Sequence, residues 1–362
     1  MPRLRKALIV TISSNSKKRG GRTGYDKDRS ILEAAGEPAS RYLLAGRDRV
    51  FELIKGGAKN RDGQRIVDTP RNGALVKGPD FGWSSQEARY LPAAERYRGN
   101  FFAQFSTDPE PLKSGSASVA ILSGLYGVAL ADEPIQDYAC HLNDNPTIRD
   151  VWTGLATDVI LGLIERQGIE RVIDFTALHS YRYLLEWGRF ADVLPGGVLH
   201  LFGGRMTGDS LLIPLGALAR HLLTGKSESE LLRLESGQVL QAGKEDIYLH
   251  SEKGPRPDNL PTRLSDEVDL FDACEEVVRM ARDVRRLLHY IQPDFDDKDT
   301  SKQIDDLVAE RRVPKDVAEA MRDIVNWRDQ IERHYSFTAL QAPIDWLRRQ
   351  YEMVKRWEDT ES

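Results

Sequence analysis

Cysteine is almost missing from this chain: Cys140 and Cys274 are the only two in 362 residues, far apart and without metal-ligand spacing around either. A disulfide framework is thereby excluded, and a reducing, cytoplasmic setting is expected. Long apolar runs are missing too. The opening MPRLRKALIVTISSNSKKRGG has an apolar run too short for the core of a signal segment, and no stretch approaches the roughly 20 apolar residues of a membrane span. No membrane partner is expected. The seven histidines include no pair four residues apart, so no zinc site is indicated, and no other metal or cofactor motif is found. Internal repeats and low-complexity tracts are absent.

What is present is ordinary in bulk and uneven in detail. A chain of 362 residues with 30% charged residues is long enough for two cores and too apolar for wholesale disorder. The net charge of −5 hides an asymmetry, because residues 1–30 hold nine Lys/Arg against Asp26 and Asp28. Residues 294–310 lean the other way and read as a solvated acidic stretch. A basic end beside the first strand makes an anionic partner plausible.

ALIVTI (7–12), SVAIL (118–122), RVIDFT (171–176) and VLHLF (198–202) each have the continuous apolar character of a strand buried on both faces. Helical spacing is clearest in 151–166 and 211–223. Strands alternating with helices predict a largely parallel sheet covered by helices. The section 20–115, rich in Gly, Arg and Asp, predicts one or two helices and long loops at the sheet's rim. A linker is expected over 226–264, with a short helix at 227–235 and prolines and glycine near its end. From Ser265, a candidate cap, the chain turns helical. Phe271, Cys274, Val277, Val278, Ala281, Val284, Leu287, Leu288 and Ile291 form one stripe. Further helices are expected at 302–311, 314–335 and 343–357, the last two with Pro314 and Pro343 in their first turns. The division is therefore an α/β domain over 1–225 and a helical bundle over 265–362.

The first strand runs into Ser13-Ser14-Asn15-Ser16-Lys17-Lys18-Arg19-Gly20-Gly21. Hydroxyls, cations and glycines at the carboxyl end of a buried strand suit an anion. The same residues also suit a solvated basic turn. After the second strand comes Ser123-Gly124-Leu125-Tyr126-Gly127, whose glycines permit a tight turn exposing a ring and a hydroxyl. Cys140-His141 has the residue types of a nucleophile and base but lacks a third, orienting group.

The block "LSGLYGV…IQDY" closely resembles the signature of the YaaA peroxide-stress family. "ERYRGNFFAQF" (95–105), "IRDVWTGLATDVILGLIERQG" (148–168) and "RVIDFTALHSYRYL" (171–184) are similar to further blocks of that family, in the same order. The likeness covers about residues 7–220, with 20–90 matching poorly. It implies a compact α/β fold with a positive cleft, association with DNA, and a part in protection against hydrogen peroxide. Carried over by position, the cleft candidates are Lys17, Arg98, Ser123, Tyr126, Gln136, Tyr138, Trp152 and Tyr181, of which Trp152 reads better as core; Ser14 and Lys18 of the basic segment join them as candidate ligand contacts. Tyr126 and Tyr181 have the alternative of simply burying a ring. The chain departs from the family at Leu130-Ala131-Asp132-Glu133 and Ala139, which lose cations, and at Asp174, where the family has Asn.

The segment "LVAERRVPKDVAEAMRDIVNWRDQIERHYSF" resembles the HEPN families, helical domains often found as RNA-cutting modules. Their mark, an Arg, a polar residue and a later His, matches Arg328-Asp329 and His334. The resemblance implies a metal-independent endoribonuclease acting as a homodimer, with His334 as acid/base and Arg328 stabilising the phosphorane. On a regular helix these two residues point about 120° apart, so convergence needs a cleft between two protomers. Three functions follow: a nucleic-acid- or nucleotide-binding domain joined to a ribonuclease, a DNA-binding stress protein whose bundle only dimerises, and a nucleobase-modifying enzyme working through the first domain's cleft.

Overall fold

The computed structural model describes residues 4–85, 87–251, 254, 255, 260–293, 295, 300–331 and 337–361. The chain forms two compact units, Met1–Asn259 and Leu260–Ser362.

The first unit is built on strands β1 (Ala7–Ile12), β3 (Ser118–Ser123), β4 (Gly127–Leu130), β6 (Arg171–Asp174), β7 (Val198–Gly203), β8 (Val239–Ala242) and β9 (Glu245–His250), in the order β4-β3-β1-β6-β7-β9-β8. A separate antiparallel pair joins β2 (Leu91–Pro92) to β5 (Pro134–Ile135). The four central strands are parallel, with Leu8 opposite Ser118, Ala7 opposite Arg171 and Val172 opposite Val198. The three outer strands are antiparallel. Every residue of β1, β6 and β7 is buried, which is why these runs are apolar without alternation.

The helices of this unit are α1 (Ile31–Ala35), α2 (Ala39–Lys55), α3 (Pro70–Gly73), α4 (Ala93–Arg96), α5 (Glu110–Ser114), α6 (Pro146–Trp152), α7 (Leu155–Gln167), α8 (His179–Arg182), α9 (Trp187–Val193), α10 (Gly208–Gly225) and α11 (Glu228–Leu232). α1, α2 and α7 pack on one another and against β4, while α10 packs on α5 and β8. The helix expected over 151–166 is two helices, because Gly154 at φ 78° starts a new one. A tight turn joins β3 to β4. Gly127 takes φ 65° there, and a Cβ on it would lie 2.5 Å from the Trp152 ring. The Trp152 indole donates to the Gly124 carbonyl at 2.8 Å, so the core reading of this residue describes its place.

The stretch expected as a linker instead extends the sheet. Its hairpin turns at Gly243 (φ 67°) and sets Leu249 opposite Leu201 in β7. Ile247 and Leu249 are fully buried while Tyr248 is partly exposed, so only alternate positions carry an apolar signal.

The second unit holds α12 (Thr262–Ile291), α13 (Thr300–Ala309), α14 (Lys315–Gln330) and α15 (Phe337–Glu361). α12 packs against both α14 and α15, and α13 against α14. The α12 stripe from Phe271 to Leu288 is buried as the spacing predicts, whereas Ile291 is only half-buried. Ser265 lies inside the first turn, its N–H bonded to the Pro261 carbonyl, so Pro261 and not Ser265 stands at the cap. Pro343 is inside α15 and not at its start. The missing N–H loses one bond, and burial of Leu340, Ile344, Leu347 and Val354 carries the helix through. No helix among the described residues is long and apolar enough to cross a membrane.

Because each unit has its own buried core, a chain ending at Asn259 and one starting at Leu260 are each expected to unfold cooperatively. Circular dichroism melts of both fragments check this; a non-cooperative melt of either would show that its core is incomplete alone.

Candidate functional site

The connection from β1 goes to β3 on one side, and β6 lies on the other. The carboxyl end of β1 is therefore beside a reversal of strand order, the place where open α/β sheets usually bind ligands. The basic segment 13–20 leaves from that end, and its backbone is fastened to neighbouring chain. Lys18 N–H donates to the Arg96 carbonyl at 2.7 Å, and Arg98 N–H donates to the Ser16 carbonyl at 2.9 Å.

Lys17 points inward. It is 6% exposed, its Nζ donates to the Ser14 carbonyl at 2.6 Å, and it sits 4.1 Å from the centre of the Tyr138 ring. Burial pulls its pKa down to about 7, with Arg71 and Arg96 nearby adding to the effect. The hydroxyls of Tyr97 and Tyr138 are 2.7 Å apart, and that of Tyr138 is 2.6 Å from Ser123 Oγ. Lys17, Ser123 and Tyr138 thus meet in one buried cluster, joined by Tyr97.

A second cluster centres on Asp80, which is wholly buried. It accepts from the Tyr90 hydroxyl at 2.7 Å, from the Tyr126 hydroxyl at 2.6 Å and from Gln136 Nε2 at 3.0 Å. Burial lifts its pKa to about 6, and these three donors oppose the rise. The Gln136 amide is otherwise held by the Val76 backbone, donating to its carbonyl and accepting from its N–H. Behind Tyr126 lies a buried ion pair, with Arg47 Nη1 2.8 Å from Glu133 Oε1 and both side chains fully enclosed.

Against these clusters opens a cavity of about 400 Å³, lined by Arg19, Arg71, Arg89, Pro70, Gln136 and Asp137 among others. Arg71 donates to the carbonyls of Asn15 and Lys17 and stands 3.6 Å from Asp137. Arg19 and Arg89 are exposed, and neither guanidinium has a hydrogen bond or ion pair among the described residues. Behind the wall, Arg96 is enclosed and donates only to carbonyls, those of Lys18, Gly20, Arg89 and Ile135. Cations outnumber carboxylates here, and the pocket can hold an anion.

Of the sequence candidates, Gln136 lines this pocket and Lys18 is exposed close by. Arg98 does not line it; its guanidinium donates to the Ser106 carbonyl. Ser14 caps its own loop, its Oγ accepting from Ser16 N–H. Ser123, Tyr126, Tyr138 and Tyr181 are fully buried, with their hydroxyls bonded inside the protein, that of Tyr181 accepting from Leu142 N–H. Cys140 is buried, which pushes its thiol well up and keeps it protonated, and His141 Nδ1 caps a turn by accepting from Asn143 N–H. That pair is structural. Asp174 accepts from Thr176 and His200 and pairs with Arg182, which together hold its pKa at about 2 despite burial. Among the described residues no cluster of His, Cys, Asp or Glu could hold a metal ion. In the helical unit, Arg328 is 3% exposed, and its Nε and Nη2 have no hydrogen-bond partner among the described residues. His334 lies outside the described residues.

Sequence reading missed Asp80, Arg47, Tyr90, Arg71 and Arg89. No local pattern marks them, since they reach the site from the weakly patterned section 20–115. No protein-family model matches the chain, and no curated protein is significantly similar to it.

The buried amine makes stability depend on pH. Between about pH 7 and pH 10.5 the unfolded chain holds a proton on Lys17 that the folded chain has lost. This residue's unfavourable share is therefore full below pH 7 and fades as pH rises to 10.5. Relative to wild type, Lys17→Met should look most stable near neutral pH, and its advantage should shrink by on the order of 4 kcal/mol at high pH. Urea unfolding of both proteins across this range checks it; a constant difference would mean that the amine stays charged.

Proposed function

We propose that the first unit binds phosphate-bearing ligands, nucleic acid or a nucleotide, in the pocket at the carboxyl end of β1. The observation that carries this reading is the pair of guanidinium groups, Arg19 and Arg89, that have no partner among the described residues and line a cavity of about 400 Å³. The YaaA-like blocks around Gly124 and Gln136 agree with it and extend it to DNA in a peroxide-stress setting. Arginine is the side chain best matched to phosphate oxygens, and a guanidinium in no ion pair among the described residues is free to meet a phosphate.

Binding that depends on these contacts weakens with salt, because each neutralised phosphate releases counterions. Arg19→Ala with Arg89→Ala should lower the affinity and reduce the slope of log K against log salt by about 1.4–1.8. Fluorescence anisotropy with labelled single and double strands between 50 and 200 mM salt reads both quantities (about the range where such effects are large). Failure of DNA, RNA and mononucleotides alike to bind at low salt removes this reading.

A second reading concerns the helical unit, and Arg328 favours it. A buried guanidinium with two nitrogens, Nε and Nη2, lacking a hydrogen-bond partner among the described residues is costly unless an anion or a second protomer meets it. We propose a HEPN-type, metal-independent ribonuclease in which two copies bring Arg328 and His334 to one cleft. Cleavage should then persist in EDTA and leave 2′,3′-cyclic phosphate ends. His334→Ala and Arg328→Ala should each lower the rate by about 10²–10⁴-fold. Sedimentation of both variants as the same dimer as wild type separates catalysis from assembly. Uncut RNA with a dimeric wild-type protein leaves the unit an assembly module.

A further inference from the structure

We infer that the pocket between Arg19, Arg71 and Asp137 selects guanine, free as a nucleotide or unpaired in a strand; this rests on the phosphate-binding reading of the same pocket. The inference comes from Asp137. Its carboxylate lines the cavity with 19% of the side chain open, yet neither oxygen accepts a hydrogen bond among the described residues. Among the described residues Arg71 is its one cationic neighbour in ion-pair range, at 3.6 Å, too far for a hydrogen bond. It cannot come closer cheaply, because its two terminal nitrogens already hold the carbonyls of Asn15 and Lys17.

An ionised carboxylate is an acceptor only, so what it lacks is a donor. The neighbouring Gln136 cannot provide one. Its amide is tied to Val76 and Asp80 and forms a fixed wall. A ligand that completes this pocket therefore brings N–H groups to Asp137 and an anion to Arg19 and Arg89. Oδ1 is shielded, and the terminal torsion of aspartate is broad, so the carboxylate has to turn as the ligand binds.

Among the bases, guanine alone offers two adjacent donors, N1–H and the exocyclic N2–H, matched to two carboxylate oxygens. Adenine and cytosine place a ring-nitrogen acceptor against the carboxylate, and uracil flanks its single N–H with two carbonyls. Guanine's O6 and N7 acceptors are in turn the edge that arginine reads best. The cavity volume of about 400 Å³ falls within the range of small-molecule sites.

The test is calorimetric titration of the full chain with GMP, IMP, AMP and inorganic phosphate. GMP should bind about 10–100-fold more tightly than AMP, with IMP, which lacks the exocyclic amine, between them. Asp137→Asn should erase that ranking while retaining phosphate-driven affinity. A single-stranded oligonucleotide with one guanine, compared with its adenine counterpart, tells whether a strand also presents the base. Equal binding of all three nucleotides, or an unchanged ranking in Asp137→Asn, overturns the guanine inference and leaves the anion pocket standing. If neither nucleotides nor phosphate bind, the pocket reading falls and this inference with it.

Discussion

The first unit's site depends on one buried ion pair, Arg47 with Glu133. Alone, two enclosed charges would be a burden, since desolvation can exceed their attraction. Here each nitrogen and oxygen of the two side chains has a hydrogen-bond partner. Arg47 also donates to the carbonyls of Tyr126 and Val128, and Glu133 accepts from the backbone of Ile31 and Leu130. Helix α2 is thereby fixed to the β3–β4 turn, and the start of α1 to the end of β4. Tyr126 then holds Asp80 and the backbone of Gln136, and Gln136 forms the wall of the pocket. A carboxylate and a guanidinium with no other acceptable partners specify one alignment of these elements, which an apolar pair would not.

The charge of the pocket follows from how its other cations are accommodated. Lys17 and Arg96 are buried against carbonyl oxygens and not against carboxylates. A carbonyl satisfies hydrogen-bond geometry but cancels little charge, so the field of these groups survives into the cavity. Burial weakens that field at Lys17, whose amine titrates near neutrality, while Arg96 stays cationic in any ordinary solution. Positive potential here is produced as much by enclosed groups as by the exposed arginines.

The central sheet was legible because its strands are enclosed on both faces. β1, β3, β6 and β7 carry continuous apolar runs for that reason, and the α12 stripe is legible because a long helix repeats its pattern many times. β4 is hidden by its leading glycine, and the β8–β9 hairpin by polar residues at alternate positions. At the site, local reading marked Lys17 and Gln136 through their neighbours but favoured the tyrosines, whose conspicuous hydroxyls are structural. Asp137 stood unremarked between two candidates. Its significance lies in accepting no hydrogen bond among the described residues, a property of the folded chain and not of any segment.

Strand β1 occupies the middle of the sheet, yet its partners lie far along the chain: Leu8 pairs with Ser118, and Ala7 with Arg171. Loops of that length must close before any of these contacts contributes, so the first unit belongs to the slowly folding, high-contact-order class. On a ribosome adding about 5–20 residues per second, the run ALIVTI waits on the order of ten seconds or more for its second neighbour to emerge. During that interval the most apolar of the described strands stands without its sheet, and the basic residues on either side of it, Arg5 and Lys6 before and Lys17, Lys18 and Arg19 after, are the charged groups that keep it in solution.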